Sequence, residues 1–109
     1  MGDIQDLQVE HETWVTHNFQ NQPSYQPLLG IGEEVGELMH AHLKAEQGIR
    51  KLKPKVALQL KEDALGDIFI YMMSYANAEG LDLESCISRA WSEVKARDWV
   101  KYPINGKDE

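Results

Sequence analysis

The chain has a single cysteine, Cys86, among 109 residues. An internal disulfide is therefore excluded, and a lone thiol suits a reducing, cytoplasmic compartment. Basic residues are scarce: 11 Lys and Arg stand against 18 Asp and Glu, a formal net charge of -7. That balance excludes the basic footprint a nucleic-acid polymer requires. It leaves room for an enzyme acting on nucleotides, because bound cations reverse the local field. Long hydrophobic runs are missing too. The longest, Ile68 to Met73, is far too short to span a bilayer. The opening Met1 to Asp6 lacks the basic flank and apolar stretch of a secretory leader. No membrane partner is expected. No stretch alternates apolar and polar residues at period two, and there is no internal repeat, so strands and solenoids are not expected.

What is present is helical periodicity in four segments. The first is predicted from about Ile4 to Phe19, with Asp3 as its N-cap. The second runs from about Leu28 to Gln47, with Pro27 in its first turn and Gly48 as a left-handed C-cap. The third spans about Pro54 or Val56 to Glu79 and is stopped by Gly80; the fourth has Asp82 as its N-cap and reaches about Trp99. The expected fold is one all-α domain over residues 1–109, a four-helix bundle with a polar tail from about 104. A chain this short buries only about two thirds of its unfolded surface. A homodimer or homotetramer is therefore expected to complete the core.

Two acidic stretches stand out: Gly32-Glu33-Glu34-Val35-Gly36-Glu37 and Glu62-Asp63-Ala64-Leu65-Gly66-Asp67. Glu33, Glu34 and Glu37 fall at helical spacings of three and four, as do Asp63 and Asp67, so each group lines one face. Like charges so placed destabilise an isolated helix, the kind of local conflict found at functional sites. The third segment is apolar nearly all round from Ala64 to Ala78, which predicts a buried central helix with Asp67 inside it. An unpaired carboxylate there would need a cationic partner. Oxygen donors without thiolates favour Mg²⁺, with Mn²⁺ the near alternative. Gly30, Gly32 and Gly36 predict either close helix approach or space beside the acids. The connector with Arg50, Lys51, Lys53 and Lys55 reads as a solvated loop or as an electrostatic lure for an anion. A rival reading takes Glu37-Leu38-Met39-His40 as half of a di-metal carboxylate site. Such bundles use two Glu-x-x-His pairs, and this chain has one.

Glu33-Glu34-Val35-Gly36-Glu37 followed by Asp63-Ala64-Leu65-Gly66-Asp67 resembles the paired acidic motifs of the MazG-like nucleoside triphosphate pyrophosphohydrolases. The likeness extends to Gln47-Gly48-Ile49-Arg50 and Lys95-Ala96-Arg97-Asp98-Trp99, and spans about residues 14 to 103. It implies Mg²⁺-dependent hydrolysis of a (d)NTP to the monophosphate and pyrophosphate in nucleotide-pool cleaning. It implies Glu34, Glu37 and Asp67 as metal ligands, and Glu33 as a further ligand or the base for the attacking water. It places Tyr71 near the substrate, Lys95 and Arg97 on phosphates, and Trp14 or Phe19 against the base. The chain departs from the pattern at Ala64, where the family has Glu. The ligand role passes to Asp63, one turn before Asp67. The missing Glu also motivates a second reading, an inactive helical module that binds metal or nucleotide and acts through a partner.

Overall fold

The computed structural model describes residues 2–109. Among them are four α-helices and no strand: α1 (Asp3–Phe19), α2 (Tyr25–Gln47), α3 (Pro54–Ala78) and α4 (Leu83–Lys95). None is long and apolar enough to cross a membrane. The all-α expectation holds, with shifted boundaries. α2 begins three residues early, so the loop before it is only residues 20–24. α4 stops four residues before Trp99, and the chain then closes into a turn. There the Asp98 N–H donates to the Gly106 carbonyl (2.8 Å), and the Gly106 N–H to that of Tyr102 (2.8 Å). These bonds fold the polar tail back on the end of α4.

α2 and α3 form an antiparallel hairpin, and α2 packs on α3 alone. Their seam is built of small residues: Gly30 and Ala41 from α2, Ala57 and Ala64 from α3, with Ile68 beside them, all buried. Small side chains let the backbones approach closely but bury little apolar area each. The connector turns with left-handed residues, Gly48 (φ 68°), Arg50 (φ 62°) and Lys51 (φ 50°). Gly48 occupies the predicted C-cap, and Gly80 (φ 69°) ends α3, where the Leu81 N–H reaches back to the Ala76 carbonyl (2.8 Å).

The expected local caps are replaced by caps from distant helices. Neither Asp3 nor Asp82 bonds a free N–H of its own helix. Instead Glu84 of α4 accepts from the Gln5 N–H in the first turn of α1 (2.9 Å). In return buried Gln8 of α1 accepts from the Leu83 N–H at the start of α4 (2.9 Å). Gln8 Nε2 also donates to Asn77 Oδ1 and to the Leu81 carbonyl (both 2.8 Å), while Asn77 Nδ2 donates to the Gln8 carbonyl (3.0 Å). One amide thus ties α1, α3 and α4 at a single corner, satisfying helix-end groups that would otherwise lack partners.

α3 is central in the sequence, yet it is not buried all round. Leu65, Phe69 and Ile70 are between 44% and 50% exposed, and α4 has no buried residue. The four helices do not close around a common core within one chain.

Candidate functional site

The hairpin sets the acids of α2 opposite those of α3. Glu34, Glu37, Asp63 and Asp67 line one cleft of about 340 Å³. His40, Lys44 and Arg50 line it as well. Glu34 is half-buried, and the other three acids are exposed. Asp67 therefore corrects the expectation drawn from its apolar neighbours. It sits on the flank of α3 that faces the cleft, not in the packed seam, so burial does not oblige it to bind a cation. Glu33 is exposed and lies outside the cleft lining.

Electrostatics single out Glu34. Desolvation in the cleft raises its carboxyl pKa, and the charges of Asp67, Glu33 and Glu37 raise it further. The cations do not relieve this. Among the described residues the one ion pair is His42–Glu46 (3.5 Å), away from the cleft. Lys44 and Arg50 thus share the cleft with four carboxylates and pair with none.

The donor set has the chemistry of a hard divalent cation site, all carboxylate oxygen. Its arrangement is open: among the described residues no three His, Cys, Asp or Glu side chains stand together closely enough to hold one ion. Glu37 and His40 both line the cleft, but no second pair faces them, so a di-metal bundle site is not assembled.

On the other side of Glu34 and Asp67 lies a second cavity of about 370 Å³, between α1 and the hairpin. Trp14, Phe19 and Tyr71 line it. Trp14 stacks on His11 (6.0 Å between centroids, 21° between planes) and meets Phe19 edge-on (5.6 Å, 76°). His11, Gln22 and Ser74 add polar groups that the sequence did not reveal as site residues. The Ser74 hydroxyl donates to Gln22 Oε1 (3.3 Å). Burial lowers the His11 pKa and favours the neutral ring. Its Nε2 is buried without a hydrogen-bond partner. A buried orphan of this kind calls for a partner, although the residue that carries it lines the cavity.

Lys95 and Arg97 line neither cavity. They lie at the end of α4 and just beyond it, and Arg97 packs beside Gly106. The cations present at the cleft are Lys44 and Arg50.

Gly30 is where close approach matters. A Cβ there would run into the Tyr71 ring, whereas at Gly32 and Gly36 it would meet nothing. Gly30→Ala is expected to push Tyr71 off the cavity wall and to destabilise the fold. An overpacking penalty of about 1–3 kcal/mol outweighs a helix-propensity gain of about 1 kcal/mol. In a Tyr71→Ala background the same change should become neutral or stabilising. Equal costs in the two backgrounds, measured by urea melts, would refute the contact.

No family model, curated protein or solved structure matches the chain.

Proposed function

We propose that the chain is a nucleoside triphosphate pyrophosphohydrolase. The observation that carries this reading is the shared wall. Glu34 and Asp67 separate a cleft lined by both signs of charge from a cavity lined by aromatic rings. A nucleotide has the same two halves, an anionic chain that travels with a cation and a flat base. Lys44 and Arg50 suit the phosphates, and Trp14, Phe19 and Tyr71 suit the base. The resemblance to the MazG-like enzymes points the same way.

In this reading Glu34, Glu37, Asp63 and Asp67, which by themselves do not stand closely enough to cage an ion, would hold Mg²⁺ or Mn²⁺ only together with the substrate's phosphates; the bound ion would neutralise phosphate charge and polarise the phosphoryl oxygen. Water attacks the α-phosphorus, the bond to the bridging oxygen breaks, and the monophosphate and pyrophosphate leave. The departing water proton passes to a carboxylate of the cleft; Glu33, the base that the resemblance implies, lies outside its lining. Lys44 and Arg50 hold the leaving pyrophosphate. The aromatic cavity fixes the base and so keeps the α-phosphorus at the acids. The enzyme would work in the cytoplasm as a homodimer or homotetramer.

The test is pyrophosphate release from a panel of (d)NTPs with Mg²⁺ or Mn²⁺. Turnover of at least one, and none with the metal chelated, is expected. The open arrangement of the acids favours one other reading, the module that binds without turnover. Calorimetric binding of an NTP with no hydrolysis of any panel member would establish that reading and reject the enzyme.

A further inference from the structure

The aromatic cavity ends at an amide. On α3, Asp67, Tyr71 and Ser74 follow one another at steps of four and three, so they share one face of the helix. Asp67 lines both the acid cleft and the aromatic cavity; Tyr71 and Ser74 line the aromatic cavity and not the cleft. From Asp67 to Ser74 the helix rises about 10 Å. The cavity therefore runs from the acids, past the rings, to the Ser74 hydroxyl. Ser74 is only 7% exposed. Gln22, in the loop between α1 and α2, sits at the same end. It lines the cavity, and its Oε1 accepts from the Ser74 hydroxyl at 3.3 Å. That is the one bond the Gln22 side chain makes among the described residues. It is long beside the roughly 2.5–3.0 Å usual for O–H···O, so it is easily exchanged.

We propose that Gln22 reads the hydrogen-bonding edge of the base, and that Ser74 holds its amide for that task in either of two orientations. This role rests on the aromatic cavity being the base site. A nucleotide with its phosphates at the acids and its ring against Trp14, Phe19 and Tyr71 brings the far edge of the base to Ser74 and Gln22. At that edge cytosine and adenine carry an amino donor, where uracil and hypoxanthine carry a carbonyl acceptor. An amide has an atom for each, an oxygen that accepts and a nitrogen that donates, and half a turn exchanges them. A partner that could only donate would hold the oxygen and leave only the nitrogen for the base. A hydroxyl donates and accepts, and its hydrogen rotates to suit. Ser74 can therefore bond either atom of the amide while the base meets the other. Asn77, one turn beyond Ser74, has no such freedom. Its Oδ1 accepts from Gln8 Nε2 and its Nδ2 donates to the Gln8 carbonyl, so both of its amide atoms are committed.

Two nucleotide pairs isolate the contact, dCTP with dUTP and dATP with dITP. Each exchanges an amino donor for a carbonyl acceptor at that edge. Pyrophosphate release by the full chain with Mg²⁺ should give kcat/KM ratios within about threefold of one in both pairs. Gln22→Glu, whose carboxylate only accepts, should shift both ratios toward dCTP and dATP by about tenfold. Gln22→Lys, which only donates, should shift both toward dUTP and dITP by about as much. A mere loop tether would not do this, since its loss slows all four nucleotides alike. Ser74→Ala should raise KM for all four without a loss in kcat, and Ser74→Thr should restore it; a loss confined to kcat overturns the part given to Ser74. Calorimetric binding of the four monophosphates, which the reaction leaves intact, gives the same ratios for a protein that turns nothing over. Ratios that neither Gln22 variant moves overturn the assignment and leave the hydrolase reading standing. A wild type that prefers one member of a pair by more than about tenfold overturns the two-way amide. If no triphosphate is hydrolysed and no monophosphate is bound, the cavity is not a base site and both readings fall.

Discussion

Glu34→Gln is expected to slow pyrophosphate release by about a thousandfold or more, and to make the metal-free protein melt higher at pH 7. Both effects follow from one carboxylate. Glu34 lines both cavities, between the charged cleft and the aromatic cavity. Changing groups that merely support a metal ligand already costs 10–100-fold, so loss of a ligand should cost more. The stability effect has the opposite sign. The folded-state pKa of Glu34 lies above its ordinary 4.5, through desolvation first and then Asp67, Glu33 and Glu37. Its contribution is therefore full below the unfolded-state value and is lost as pH rises through the folded-state value. At pH 7 the metal-free fold bears that penalty, and glutamine removes it. The melting difference should shrink as pH falls toward 4. Mg²⁺ should raise the melting temperature of the wild type at pH 7 and leave the variant nearly unmoved, since a ligand stabilises only the state that binds it. A variant that hydrolyses normally, or that melts lower than wild type without metal, would show that Glu34 is an ordinary surface acid.

Gln8→Leu is expected to open the corner where α1 meets α3 and α4. Leucine fills a similar volume, so the loss is one of hydrogen bonds. The Leu83 N–H, the Leu81 carbonyl and the Asn77 amide each lose a partner. At about 1 kcal/mol per bond, more where a group stays buried and unpaired, the cost is roughly 3 kcal/mol. Hydrogen exchange is the direct reading, because protection of the Leu83 amide should fall roughly a hundredfold. The Gln5 amide, held by Glu84 of α4, should lose protection with it, although Gln8 does not bond that amide. Loss at Leu83 alone would mean that the two caps are independent; no loss at either would mean that the amide tie is dispensable.

The four helices were legible because each repeats apolar residues at helical period, and Gly48 and Gly80 mark two ends by demanding left-handed backbone. The acid groups were legible for the same reason: spacing on a helix fixes a shared face. What spacing alone cannot supply is which face meets which. Asp67 lies among apolar neighbours in the sequence, yet half of those neighbours line a flank that no helix of the same chain covers. Asp3 and Asp82 satisfy local capping rules, but the bonds are made by Glu84 and Gln8, more than seventy residues away in each case. Lys44 lies on α2 itself, seven residues after Glu37, whereas Arg50 reaches the cleft only through the turn of the connector after α2. Lys95 and Arg97 stand in a motif-like run that ends elsewhere in the chain. His11, with no acid three residues before it, gives no signal until α1 docks on the hairpin.

The reciprocal caps also bear on synthesis. α1 leaves the ribosome before the other three helices, yet Asn77, Leu81, Leu83 and Glu84, the groups that hold it, are made only after α2 and most of α3. At 5–20 residues per second, the interval between Gln8 and Glu84 lasts roughly 4–15 s. Throughout it α1 has no partner for the Gln8 amide and shows Leu7, Trp14 and Phe19 to its surroundings. The hairpin of α2 and α3 closes inside that window, being local in sequence. The nascent chain thus presents a finished acid cleft beside an aromatic cavity that still lacks its outer wall.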